Sequence, residues 1–257
     1  MRAPVLTLAG SELRVFFMES IKERISRRGF LGLACCLGIL GVGPAKGAGW
    51  NLGKQPSKRP LRKEEGTMYQ AKDYSNLIGM QGFSETLLRN HFTLYQGYVT
   101  NTNKLSELLG ELGKAGKASS PEFAELKRRF GWEFNGMRLH EYYFENLGGN
   151  GQLNPSSKLA QRLAKEFGSP QSWEADFRAA GAMRGIGWVM LYQDDFSGKL
   201  FNVWINEHDV GHLAGCRPLL IMDVFEHAFM IDYGLKRAEY IQAFFQNIKW
   251  EVVERRL

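Results

Sequence analysis

Asp223-Val224-Phe225-Glu226-His227 follows directly on an apolar run, Leu219 to Met222. A carboxylate at the end of such a run and an imidazole four residues later can converge on one point. Two oxygen or nitrogen donors from one short segment are a common start to a metal site. His140 and His91 add two more imidazoles if the chain brings them close. Three imidazoles and one carboxylate accommodate Zn, Fe or Mn, and the donor set alone does not choose among them.

Elements that could position these groups are visible in the pattern. Leu87, His91, Leu94, Tyr98, Thr102, Leu105 and Leu109 recur at helical spacing, behind an N-cap candidate at Ser84. Gly110 to Ser120 is a polar turn, and Pro121 then opens a second helix through Phe123, Phe130, Phe134 and Met137 to Phe144. An antiparallel pair of this kind places His91 and His140 at the same end. After the break Gly148-Gly149-Asn150-Gly151, two shorter helices are expected at 156–167 and 171–181. The period then changes. Gly187 to Gln193 and Leu200 to Ile205 read as a hairpin around Asp194–Gly198, and Leu219 to Met222 as a third strand. From Val224 the pattern predicts helix to the C-terminus. The fold class is α+β: an N-terminal α-helical hairpin, then an α/β domain with a small antiparallel sheet of three strands.

Composition excludes other classes. The 257 residues are 44% hydrophobic and 23% charged, which supports a sizeable core. Three cysteines exclude a disulfide framework. The net charge of +6 is not a nucleic-acid signal: residues 1–65 hold 12 basic and 5 acidic side chains, and the remainder balances to −1. Ser26-Arg27-Arg28-Gly29-Phe30-Leu31 before a modest apolar run is a twin-arginine export pattern. Leu31 to Val42 is shorter than the about 20 apolar residues of a membrane span. Residues 1–48 are therefore expected to be a signal peptide, starting at Met18 in preference to Met1 and cleaved near Ala45-Lys46-Gly47. The protein is expected to be periplasmic or secreted through the twin-arginine export machinery; anchoring by an uncleaved leader is the alternative. Residues 49–80 have linker composition. Two folded parts are expected at 81–147 and 148–257.

The chain resembles the iron/manganese superoxide dismutase family over Phe83 to Leu257. Asp223-Val224-Phe225-Glu226-His227-Ala228 is similar to the family's D-x-W-E-H-A, and Gly185-Ile186-Gly187-Trp188 to its G-S-G-W. Phe134-Asn135-Gly136 through His140, Tyr98-Val99-Thr100-Asn101-Thr102-Asn103 and Asn247-Ile248-Lys249-Trp250-Glu251 resemble three further stretches. The resemblance implies the ligands His91, His140, Asp223 and His227, with one Mn or Fe ion per subunit. It implies disproportionation of superoxide, with Tyr98 among the proton donors. It implies a homodimer in which Glu226 of one subunit meets His227 of the other.

Departures from the family pattern fall around that site. An ungapped match on Tyr98 would put Asn90 at the first ligand position. Imidazole is the better ligand, and spacings of four and seven from His91 to Tyr95 and Tyr98 keep one helical face, whereas eight overshoots by about 80°. Tyr95 replaces a second helix histidine, Met230 its usual tyrosine partner, and Phe225 the signature tryptophan. The family bonds the solvent on its metal through an amide. Gly136 stands at the helix position for that amide, as in the manganese type, which leans the metal toward Mn. Glu207-His208 stands at the sheet position. A carboxylate donates only when protonated, whereas imidazole donates readily, so His208 is expected to turn inward, with Glu207 pointing away or bonded to it. A non-enzymatic metal-binding protein, or a different metalloenzyme, on the same fold is the competing expectation. His212 has no matching role, and Cys216 reads as an inert thiol.

Overall fold

The computed structural model describes residues 68–257. The expected signal peptide and most of the expected linker lie outside these residues. Two long helices come first, α1 at Glu85–Lys114 and α2 at Pro121–Glu145. Ser84 caps α1 by accepting from the Leu87 N–H, and Ser120 caps α2 by accepting from the Phe123 N–H, with Pro121 at the first helical position. Helices α3 (Lys158–Phe167) and α4 (Pro170–Gly181) follow, capped by Ser157 and Ser169 in the same way.

Strands β1 (Gly187–Asp194), β2 (Leu200–Asn206) and β3 (Cys216–Asp223) form one antiparallel sheet in the order β2-β1-β3. Central β1 aligns Trp188 with both Ile205 of β2 and Asp223 of β3. It is buried from Gly187 to Gln193, as a central strand covered on both faces must be. The third strand begins at Cys216, three residues before its apolar run, because Cys216, Arg217 and Pro218 pair with Asp194, Gln193 and Tyr192 of β1.

Two expectations need correction. The segment after Val224 is not one helix. It breaks into a 3₁₀ turn at Glu226–Ala228, then α5 (Met230–Tyr233), α6 (Arg237–Gln246) and α7 (Trp250–Arg255). The Phe225 N–H donates to Asp223 Oδ1, an Asx turn that competes with helix at the first step. Gly234, at φ +53, ends α5.

The linker reading also fails for residues 68–80. Tyr74 and Leu77 are buried in the main core. Asn103 of α1 grips residue 69 through two bonds, accepting from Tyr69 N–H and donating to Tyr69 O, each at 2.8 Å. The Lys72 N–H donates to the Tyr95 hydroxyl, and Lys72 Nζ reaches Glu145 at 2.7 Å. Tyr74 packs on Phe144, Tyr95 and Phe92. Among the described residues no helix is long and apolar enough to cross a membrane.

Candidate metal centre

The end of the α1–α2 pair meets the end of the sheet, and four side chains converge there. One donor atom each from His91, His140, Asp223 and His227 lies within 4.8 Å of the other three. His91 comes from α1, His140 from α2, Asp223 from the last position of β3, and His227 from the 3₁₀ turn behind it. Asn90, the alternative on α1, is on the exposed face. Asp223 Oδ2 is the focus: His91 Nε2 and His227 Nε2 each lie 3.2 Å from it, and His140 Nε2 lies 3.7 Å away.

The protonation pattern suits a cation. Burial pushes the Asp223 carboxyl up, but the His227 and His91 imidazoles against it outweigh burial and hold it well below the ordinary carboxylate range. Burial pushes His91 and His140 down, so both rings are neutral, the form that ligates. His140 Nδ1 donates to the Gly136 carbonyl at 2.5 Å, which leaves a lone pair on Nε2. That fully buried Nε2 has no partner within the chain. A buried acceptor without a donor is costly. One cation between the four groups satisfies it, and three imidazoles with one carboxylate fit Mn or Fe.

The surrounding side chains are as specific. His208 is fully buried and turned inward. The Trp188 indole N–H donates to His208 Nδ1 at 3.0 Å, and His208 Nε2 lies 2.8 Å from the Tyr98 hydroxyl. An indole can only donate, so Nδ1 carries the lone pair, Nε2 carries the proton, and His208 donates to the Tyr98 oxygen. Burial, above all, lowers the His208 pKa to about 4, which agrees with this neutral form. The Tyr98 ring stacks on His140, and burial pushes its hydroxyl up, so it keeps its own proton. That proton is not used by His208.

Gly136 has a structural reason beside its sequence match: a Cβ there would sit 2.6 Å from the Tyr98 ring. Phe225 lies between His208 and His227, with ring centroids 4.8 and 5.3 Å away. Tyr95 stands further out. Its hydroxyl donates to Glu141 at 3.2 Å, and its ring is 6.4 Å from His140. Glu207 is half-buried and does not bond to His208, whose ring nitrogens are both taken. Its φ of +55° is the local adjustment that swings His208 inward in its place. Glu226 is exposed beside His227, whose side chain is 29% exposed. Trp132, unremarked in the sequence, packs 4.5 Å from the His208 ring. Its place on α2, eight residues before His140, was the only signal.

A family model described as "Iron/manganese superoxide dismutases, C-terminal domain" matches residues 155–256. "Superoxide dismutase [Mn] 2" of Haloferax volcanii is 37% identical over 167 residues, covering 65% of this chain and 82% of that protein. The chain belongs to the iron/manganese superoxide dismutase family. Two further superoxide dismutases agree. "Superoxide dismutase [Fe]" of Aquifex aeolicus is 35% identical over 192 residues, 73% of this chain and 90% of that protein. "Superoxide dismutase [Fe]" of Cupriavidus metallidurans is 39% identical over 177 residues, 67% and 87% respectively. Both Mn and Fe members are thus among the relatives of this superoxide dismutase chain.

Proposed function

We propose that this family member disproportionates superoxide to dioxygen and hydrogen peroxide at the His91–His140–Asp223–His227 centre, outside the cytoplasm and as a homodimer. The observation that carries the activity is the convergence of the four donors, with the buried Nε2 of His140 left for a cation. Held by His91, His140, Asp223 and His227, a Mn or Fe ion would supply the one-electron redox chemistry that disproportionation of superoxide needs. The chain's own groups supply protons and order. His208 donates to Tyr98, so the phenol proton is directed away from His208 and can be given to the departing product. Trp188 fixes the His208 tautomer. Phe225 and Tyr98 stack on the ligand rings His227 and His140, and Trp132 packs on His208.

Export is supported by Arg27-Arg28 and the short apolar run behind them. The dimer is supported by exposed Glu226 beside half-buried His227, with exposed Met230 and Ile231 alongside. The decisive experiment is metal analysis with superoxide turnover on protein exported and loaded in its own host. Turnover that tracks Mn or Fe content is expected, and a loaded protein without turnover would overturn the activity. Cell fractionation of the Arg27→Lys/Arg28→Lys variant tests export: it should stay in the cytoplasm.

A further inference from the structure

His208 sits on a turn from Asn206 to Val210, closed by Asn206 N–H donating to Val210 O at 2.8 Å and Val210 N–H donating to Asn206 O at 3.2 Å. The turn carries strain. Glu207 is the one non-glycine residue with positive φ among the described residues, a conformation disfavoured for a residue with a Cβ. A second set of bonds holds the turn from outside. His212 Nε2 lies 2.8 Å from the His208 carbonyl oxygen, and His212 Nδ1 lies 2.7 Å from the Tyr192 hydroxyl. A carbonyl only accepts, so His212 Nε2 carries a proton. With its proton on Nε2 the ring accepts at Nδ1, and the Tyr192 hydroxyl donates.

Tyr192 is buried and belongs to β1, as Trp188 does. The central strand therefore holds His208 in two ways: its ring through Trp188, and its main chain through Tyr192 and His212. The bonds from β1, Trp188 to His208 and Tyr192 to His212, each span 20 residues of sequence, and the bond from His212 to the His208 carbonyl spans four. We propose that Tyr192 and His212 are positioning residues for the dismutase reaction, fixing the His208 main chain so that its Nε2–H meets Tyr98. The proposal rests on the reading of His208 as a member of the proton path. Without the two bonds the strained turn relaxes, the His208 ring moves, and Tyr98 loses the donor that orients its hydroxyl.

The test uses the metal-loaded full chain. His212→Ala should lower kcat about tenfold at unchanged metal content, in line with losses at other supporting residues. It should also raise deuterium exchange at the amides of residues 207–211 while leaving α1 and α2 protected. His212→Gln, whose amide again offers one acceptor and one donor, should restore both. Tyr192→Phe removes a single oxygen and should reproduce part of each effect even if His212→Ala folds poorly. His208→Ala runs beside them. If His208→Ala is impaired while His212→Ala and Tyr192→Phe match wild type in kcat and exchange, the positioning role is overturned and the reading of His208 stands. If His208→Ala itself keeps full kcat, the reading of His208 falls, and the positioning role falls with it.

Discussion

At the scale of single residues, His208 has one arrangement that satisfies both neighbours. Burial disfavours the charged ring, and a protonated ring would also point an N–H at the Trp188 N–H, so the folded state resists protonation there. Folding lowers this pKa from 6.5 to about 4, so the unfolded chain takes up the proton first as pH falls. The stability due to neutral His208 is complete above pH 6.5 and is lost on the way down to about pH 4, by about 3 kcal/mol. Urea midpoints at stepped pH should show wild type losing more stability over that window than His208→Gln. At neutral pH and matched metal content, His208→Gln should keep much of the turnover. His208→Ala should lose it by roughly 10–100-fold. Gly136→Ala makes a different prediction. Its Cβ displaces the Tyr98 ring, so turnover should fall with about 1–3 kcal/mol of stability. Metal content should hold, because the Gly136 carbonyl that orients His140 is main chain. His91 was legible in the sequence because helical phase with Tyr95 and Tyr98 excludes Asn90. The inward turn of His208 was legible because a carboxylate donates only when protonated, whereas imidazole donates readily. Tyr192 and His212 were not, since a bond between a strand and a distant loop leaves no period.

At the scale of elements, the long helices were readable from their caps and apolar spacing, and the hairpin from its turn residues. The approach segment 68–80 was not. It exposes most of its side chains, and only Tyr74 and Leu77 among its large apolar residues enter the core deeply. Its attachment runs through main-chain bonds to Asn103 and Tyr95, which composition does not register. Tyr74→Ala should cost about 3 kcal/mol by denaturant unfolding. It should also weaken metal retention, because Tyr74 packs on Phe144 and Phe144 packs on His91, each at 4.9 Å. Lost stability with fully retained metal would separate the segment from the centre. The segment after Val224 misled for another reason. Helical composition is genuine there, but Asp223 and His227 must face one point, and the Asx turn that allows it ends any continuous helix.

At the scale of the whole molecule, the near-neutral charge after residue 65 gives no general attraction for an anion, so steering must come from groups near the mouth. Assembly is the larger question. Glu226→Ala should weaken both dimer and metal retention, because a partner's carboxylate accepting from His227 would orient that ring and raise its basicity. Ultracentrifugation and metal analysis together decide it: a variant that stays dimeric and fully loaded would remove the Glu226 contact.

Arg256 braces the joint between two elements that carry donors. Its guanidinium donates to Asn146 Oδ1 and Leu219 O, at 2.6 and 2.9 Å, and pairs with Glu145 at 3.0 Å. Those three partners end α2 and open the buried part of β3, the elements that carry His140 and Asp223. A direct bond, Asn146 Nδ2 donating to Ile221 O at 2.7 Å, already joins the end of α2 to β3, and Arg256, at the C-cap of α7, braces that joint. A side chain that touches no donor atom of the centre thus helps to set how the elements carrying His140 and Asp223 face each other.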